Sequence, residues 1–155
     1  STLLACLSAA RPKIAAYPFT TLRPSLGIVD LPGYRSFVMA DIPGLIQGAS
    51  DGKGLGHRFL RHIERTRVLL HLVDCSSAET GDPALAYRVV REELSSYSPV
   101  LARRPCLVVA TKIEDEFSRG RCRELEADLE LGVLPISSAT HTGLEDMIRA
   151  ILPLI

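Results

Sequence analysis

The sequence lacks three features that mark particular classes of protein. Its 18 basic and 18 acidic side chains leave no net charge, so the molecule as a whole has no electrostatic preference for nucleic acid or for an anionic membrane. No apolar run reaches the roughly 18 to 20 residues that cross a bilayer. The N-terminus also lacks the charged and then apolar order of a signal peptide. We therefore expect a cytoplasmic protein without a membrane span.

The cysteines lack the spacing of a disulfide framework or of a zinc site. No C-x-x-C pair occurs, no histidine lies at ligand spacing, and the four residues are far apart: Cys6, Cys75, Cys106 and Cys122. This pattern is typical of small core residues in a reduced compartment. We expect neither disulfides nor zinc.

What is present is ordinary globular composition, with 46% hydrophobic and 23% charged residues, which favours a single domain. Apolar spacing predicts a helix over residues 1–7, and the prolines of residues 9–24 predict an extended loop. Short apolar runs at 26–31 and 36–41, joined by Pro32 and Gly33, predict an antiparallel hairpin.

The second half of the chain alternates between helices and strands. Helices are predicted over 55–67, 83–97, 116–130 and 144–152, and strands over 68–73, 106–110 and 133–136. In the helix over 83–97, the residues expected to face inward are Leu85, Val89, Val90 and Leu94. The apolar runs at 68–73 and 106–110 are continuous, which indicates strands buried on both faces of a parallel sheet. The predicted class is α/β.

The loop that follows the strand ending at Asp41 is rich in glycine. Five of the eleven glycines lie in residues 44–56, so this backbone is the least constrained in the chain. A carboxylate at a strand end followed by a movable loop suits a site for a metal ion and phosphate. The alternative is a long surface connection between a strand and a helix.

Polar side chains follow other strands as well. Thr111 and Lys112 follow one strand, and Ser137 and Ser138 follow another, whereas Ser1 and Thr2 lie at a helix N-terminus that favours anions. Ligands of open α/β sheets bind beyond the carboxyl ends of the strands, so these positions predict a nucleotide site. Two alternatives remain: the serines cap the last helix, and the strand-end Asp74 only braces a neighbouring turn.

Two stretches carry a resemblance to a known family. The segment DIPGLIQGASDGKGLGHRFLRHIERTRVLLHLVD, from Asp41, and the segment YPFTTLRPSLGIV, from Tyr17, resemble the GTPase domain of the Obg family of translational P-loop GTPases. The resemblance implies a P-loop NTPase-like three-layer fold with a mostly parallel sheet, and residues 1–155 as one Obg-type G domain. Nothing precedes Ser1, so we expect an N-terminally truncated domain without the central first strand and the phosphate loop.

The resemblance also implies a set of site residues. The implied GTP-binding residues are Ser1, Thr2, Phe19, Thr20, Thr21, Leu22, Arg23, Asp41, Ile42, Pro43, Gly44, Thr111, Lys112, Ile113, Glu114, Ser137, Ser138 and Ala139. Ser1 and Thr21 would bind Mg²⁺ directly and Asp41 through a water, while the N–H of Gly44 would sense the γ-phosphate. No catalytic side chain is assigned. Thr20 and Thr21 could alternatively be ordinary loop hydroxyls.

Three positions depart from what the motifs require of a typical GTPase. Thr111 replaces an asparagine, and its hydroxyl keeps part of that residue's loop-bracing role. Glu114 replaces the aspartate that reads guanine, which weakens discrimination between bases, although Asp115 could replace it after a one-residue shift. Leu45 occupies the position where many GTPases have a water-orienting glutamine, a feature shared with the Obg family, so slow intrinsic hydrolysis is expected.

The resemblance therefore implies a slow GTPase that acts as a switch in assembly of the large ribosomal subunit. We expect residues 1–155 alone, without the phosphate loop, to be inactive. Its partners would be GTP and GDP, Mg²⁺, and the large subunit or its RNA, and we expect a monomer. The arginines of the helix over 55–67 could contact RNA or form a solvated surface. Two other functions remain open: a degenerate G domain that serves as a ribosome-binding or scaffold module, and an NTPase with relaxed base choice.

Overall fold

A computed structural model of the chain describes residues 2–8, 13–14, 24–41 and 65–155. The chain forms two compact units, Ser1–Ile63 and Glu64–Ile155, and each is described by itself. The glycine loop and all but the last residues of the helix predicted over 55–67 lie outside the described residues. The assignment of residues 1–155 to one domain stays a prediction.

The first unit contains one helix and an antiparallel sheet. Helix α1 spans Thr2–Leu7, and strands β1, β2 and β3 span Lys13–Ile14, Ser25–Leu31 and Arg35–Asp41, in the sheet order β1-β2-β3. A three-residue turn joins β2 to β3, with left-handed backbone at Gly33 and Tyr34. The predicted hairpin and the predicted first helix are confirmed.

Helix α1 packs against one face of this hairpin. Leu3, Leu4 and Val29 are buried there, and the close approach is made possible by Gly27. A Cβ atom added to Gly27 would lie 1.9 Å from the Ser8 Oγ and 2.8 Å from the Leu4 Cδ1. The helix and the hairpin therefore share one small core.

The second unit alternates strand and helix around a parallel sheet, in the order β4-β5-β6. Its elements are β4 (Leu69–Asp74), a 3-10 turn (Ala78–Thr80), α2 (Pro83–Tyr97), α3 (Pro99–Ala102), β5 (Cys106–Thr111), α4 (Glu116–Leu129), β6 (Val133–Pro135), α5 (Leu144–Ile151) and a 3-10 turn (Leu152–Leu154). The α/β class and the parallel arrangement of these strands are confirmed.

Strand and helix residues of the second unit meet in one core. Its buried members are Val73, Cys75, Ala84, Val108, Ala110, Cys122, Leu125 and Val133. Cys75 and Cys122 are buried, as predicted for core residues, whereas Cys6 and Cys106 are only half-buried. The helices in the described part of the chain are too short or too polar to cross a bilayer.

The inward face of α2 differs from the prediction. Leu85 is 53% exposed, whereas Ala84 is only 1% exposed. Leu94 is buried as predicted, and Val89, Val90 and Tyr87 are half-buried. The helix therefore places a small side chain against the sheet where we expected a leucine. The short helix α3 was not predicted.

Candidate functional site

The carboxyl ends of β4 and β5 are joined by hydrogen bonds. Asp74 lies opposite Thr111 in the parallel register. The Thr111 hydroxyl donates to the Val73 carbonyl oxygen at 3.3 Å, and the Cys75 N–H donates to the Thr111 carbonyl oxygen, also at 3.3 Å. The threonine hydroxyl thus braces the strand end, as expected for this position.

Lys112 follows directly in a left-handed backbone conformation, with φ at 59°. Its Nζ lies 2.7 Å from the Asp74 Oδ2, while the Asp74 Oδ1 accepts a hydrogen bond from the Ser76 N–H at 2.8 Å. Asp74 braces a turn, as the sequence indicated, but it also pairs with Lys112, which the sequence analysis missed. The available signal was that both residues end neighbouring parallel strands.

The ion pair shifts the pKa values of both partners. Burial alone would raise the pKa of Asp74, but hydrogen bonds from Lys112 and Ser76 outweigh this effect and hold the pKa below its usual value. The hydrogen bond and the charge of Asp74 raise the pKa of Lys112. Both groups are therefore charged near neutral pH.

The loops after β5 and β6 lie side by side. The Ile113 N–H donates to the Ile136 carbonyl oxygen at 3.0 Å, and the Ile136 N–H donates to the Ala110 carbonyl oxygen at 2.8 Å. Ser137 and Thr142 exchange two backbone hydrogen bonds, which close the second loop. The structure therefore brings together the two predicted base-recognition segments, 111–114 and 137–139.

A side-chain hydrogen bond also connects these two loops. The fully buried Ser137 donates from its Oγ to the Glu114 Oε1 at 3.0 Å, and the same Oγ accepts from the Thr140 N–H at 3.2 Å. Glu114 itself is exposed. One oxygen of its carboxylate is thus occupied by the protein.

Asp115 has a different role. It is the N-cap of α4, and its Oδ1 accepts from the Ser118 N–H at 2.7 Å within a capping box. Hydrogen bonds from Ser118 lower the pKa of this carboxyl. Because the cap occupies Asp115, the carboxylate beside the second loop belongs to Glu114.

Neither Ser137 nor Ser138 caps the last helix. The N-cap of α5 is Gly143, which has φ at 74° and makes no side-chain cap. An added Cβ there would lie 2.1 Å from the Pro135 carbonyl oxygen, so this position requires glycine. The capping alternative for the two serines is therefore wrong.

Two residues predicted to contact phosphate or metal lie in the described part of the first unit. Thr2 begins α1, and Asp41 is the half-buried last residue of β3, opposite Ser25. The other predicted residues of this unit lie outside the described residues: Ser1, Phe19, Thr20, Thr21, Leu22, Arg23, Ile42, Pro43 and Gly44.

The donors predicted for Mg²⁺ are two hydroxyls and the Asp41 carboxylate, which fit the preference of this ion for oxygen. In the described ranges no three histidine, cysteine or acidic side chains cluster as a metal site. Mg²⁺ does not require such a cluster, since it keeps several waters and usually binds one or two carboxylates together with phosphate oxygens.

The family model described as "50S ribosome-binding GTPase" matches residues 1–112. The chain belongs to this family. GTPase Obg of Staphylococcus aureus strains JH9 and Newman is 46% identical over 153 residues, which is 97% of this chain and 36% of the relative. The predicted resemblance to Obg is confirmed, and the chain spans about a third of the length of these curated relatives.

Solved structures agree on the fold. The cytosolic domain of the Thermotoga maritima FeoB iron transporter in its GMPPNP form has a TM-score of 0.69 at 19% identity, covering 98% of this chain and 57% of that one. Era from Aquifex aeolicus bound to GDP and AlF4⁻ has a TM-score of 0.66 at 23% identity, covering 100% and 52%. At these identities the likeness shows a G-domain fold.

Proposed function

We propose that the protein binds and hydrolyses GTP and acts as an Obg-type switch in assembly of the large ribosomal subunit. The observation that carries the proposal is the joining of loops 111–114 and 137–139 through Ile113 and Ile136 and through Glu114 and Ser137. Family membership and the 46% identity to GTPase Obg support it. In this proposal, residues 1–155 form one Obg-type G domain.

The phosphate side of the proposed mechanism rests on the first unit. Ser1 and Thr21 would hold Mg²⁺ directly and Asp41 through a water, and the ion would neutralise charge on the phosphate oxygens. The Gly44 N–H would donate to the γ-phosphate. Water would attack the γ-phosphorus in line, slowly, because Leu45 cannot orient it. Loss of phosphate would then release the segments 19–23 and 41–44.

The proposed partners follow from the family description. They are GTP and GDP, and the large ribosomal subunit or its RNA. We also propose, from the sequence alone, that the protein acts as a monomer in the cytoplasm. Era, a structural neighbour, is known in complex with MgGDPNP and a fragment of 16S ribosomal RNA. That complex is a property of Era, of which this chain covers 52%. The family description favours the large subunit here.

Nucleotide titration and turnover of the full-length protein test this function. GTP and GDP should bind more tightly than ATP, and GTP should be hydrolysed slowly in a Mg²⁺-dependent reaction. Asp41→Asn should reduce turnover, because the metal loses a charged partner. Asp30→Asn is the matched control, an exposed carboxylate in the same hairpin, and should leave turnover unchanged. Binding without turnover would favour the scaffold module instead, and absence of guanine-nucleotide binding would refute the proposal.

A second candidate, an NTPase with relaxed base choice, is favoured by the Glu114 contact. Its carboxylate is one methylene longer than that of aspartate, and its Oε1 accepts from Ser137. We propose that one of the two hydrogen bonds to guanine is weakened. This would reduce the preference for GTP over ITP, a nucleotide whose base lacks the 2-amino group of guanine, by about tenfold.

Glu114→Asp should restore that preference. Asp115→Asn is the control, because asparagine caps a helix as well as aspartate does, and it should leave the ratio of GTP to ITP affinity unchanged. Equal affinities for GTP and ATP would end the guanine assignment. A strong preference for GTP over ITP in the unsubstituted protein would instead refute the relaxed choice.

A further inference from the structure

We infer that Asp74 is a positioning residue for nucleotide recognition, which acts by holding Lys112 and with it the shape of loop 111–114. The inference rests on the proposed function, because it assigns this loop to the base. Asp74 lies 38 residues before Lys112 and outside every segment predicted to contact nucleotide. Only the parallel register of β4 and β5 brings the two residues together.

The loop turns at Lys112, and that turn requires compensation. A left-handed backbone is strained for a residue with a Cβ atom, and Lys112 adopts it with φ at 59°. The next residue donates its N–H to Ile136, and Glu114 reaches Ser137. The direction of the chain at Lys112 therefore decides whether the two loops meet.

The Asp74 carboxylate is held in place by a hydrogen bond that does not involve Lys112. Its Oδ1 accepts a hydrogen bond from the Ser76 N–H. The residue before it in β4, Val73, accepts a hydrogen bond from the Thr111 hydroxyl. Exposed ion pairs are usually weak because two mobile side chains must be ordered. Here one partner is already ordered, so the pair loses less conformational entropy.

The segment after β4 is itself anchored by α4. Arg121 is buried at 8% exposure and donates through its two terminal nitrogens to the carbonyl oxygens of Ser77 and Gly81. Its guanidinium also lies 5.7 Å from the centroid of the Phe117 ring. Helix α4 begins directly after loop 111–114. The same helix is therefore connected to the segment that follows Asp74 and to the segment that contains Lys112.

A merely structural role for Asp74, through its bond to Ser76, predicts a different response to substitution. Asp74→Asn keeps an oxygen that accepts from Ser76 but removes the charge that attracts Lys112. Lys112→Met keeps most of the aliphatic stem and removes the ammonium group. A double-mutant cycle with these two substitutions isolates the contact between the side chains.

The cycle is measured in the full-length protein as dissociation constants for GDP and GTP. Asp74→Asn should weaken both nucleotides by about two- to fivefold. In the Lys112→Met background the same substitution should have no further effect. The loss should also shrink as salt rises from about 0.05 to 0.5 M. Asp82→Asn, which changes a carboxylate in the same connection that caps α2, should leave affinity unchanged.

The outcomes separate the two levels of the proposal. In the first case the unsubstituted protein binds guanine nucleotides while Asp74→Asn has no effect, or has an equal effect with and without Lys112. Either result refutes the positioning role and leaves the proposed function intact. If the unsubstituted protein binds no guanine nucleotide, the proposed function fails and the positioning role fails with it.

Discussion

At the scale of single residues, His71 has a pKa far below its usual value and lies outside the candidate site. It lies in β4, and its ring centroid is 4.5 Å from that of Tyr87. Burial, and secondarily the charge of Arg91, lower its pKa from 6.5 to about 4. The folded protein therefore keeps this imidazole neutral at pH values where the unfolded chain binds a proton.

This shift predicts a loss of stability in mild acid. The contribution of neutral His71 is fully present above pH 6.5 and decreases as the pH falls from 6.5 towards 4, because only the unfolded state gains a proton in that range. The shift from 6.5 to about 4 corresponds to roughly 3 kcal/mol. Urea unfolding at a series of pH values measures the free energy of unfolding.

His71→Gln should flatten the pH dependence between pH 6.5 and 4. His141→Asn is the control, since this histidine is exposed and asparagine tolerates its left-handed backbone. If the His71 substitution leaves the acid sensitivity unchanged, burial does not lower the affinity of this ring for protons.

At the scale of secondary structure elements, the contact between α1 and the β2–β3 hairpin depends on the absence of a side chain at Gly27. Gly27→Ala should destabilise the first unit by about 1 to 3 kcal/mol, because the added carbon would overlap Ser8 and Leu4. Amide hydrogen exchange of β2 and β3 measures this effect locally.

Ser8→Ala provides a rescue. Among the described residues, the buried Ser8 hydroxyl has no hydrogen-bond partner. Its removal should therefore cost little alone and should recover part of the Gly27→Ala loss. Gly120→Ala in α4 is the control, because no atom of the described residues lies within 4 Å of the added carbon and alanine favours a helix by up to about 1 kcal/mol. Equal losses at Gly27 and Gly120 would contradict the packing argument.

Local signals predicted most elements well, and long-range contacts set the limit. The bounds of α2 were predicted to the residue, because Asp82 caps the helix and Pro83 begins it. The predicted inward face of α2 was wrong at Leu85. Apolar periodicity locates the buried face of a helix only approximately, so an adjacent residue can be buried instead. In the candidate site, the strand ends correctly predicted that segments 111–114 and 137–139 lie together. The pairing of Asp74 with Lys112 depends on the register of the sheet, and the burial of Arg121 depends on the packing of α4. Local sequence patterns specify neither of these long-range contacts.

At the scale of the whole molecule, the predicted contacts divide between the two units. Every residue assigned to phosphate or Mg²⁺ lies in Ser1–Ile63, and every residue assigned to the base lies in Glu64–Ile155. The core of the second unit is formed by its own residues, from Val73 to Val133. Folding and base contacts can therefore be tested apart from phosphate binding.

We predict that residues 64–155, expressed alone, fold cooperatively but bind GTP weakly. Folding follows because the buried core is internal to the segment, and weak binding follows because the segment lacks every group assigned to phosphate. Near-ultraviolet circular dichroism and urea unfolding report on folding, and Leu125→Ala, at a side chain only 1% exposed, should lower stability by about 2 to 5 kcal/mol. A segment without a cooperative transition would show that its core requires the first unit. GTP binding as tight as that of the full-length protein would show that the base loops supply most of the affinity, contrary to the division proposed here.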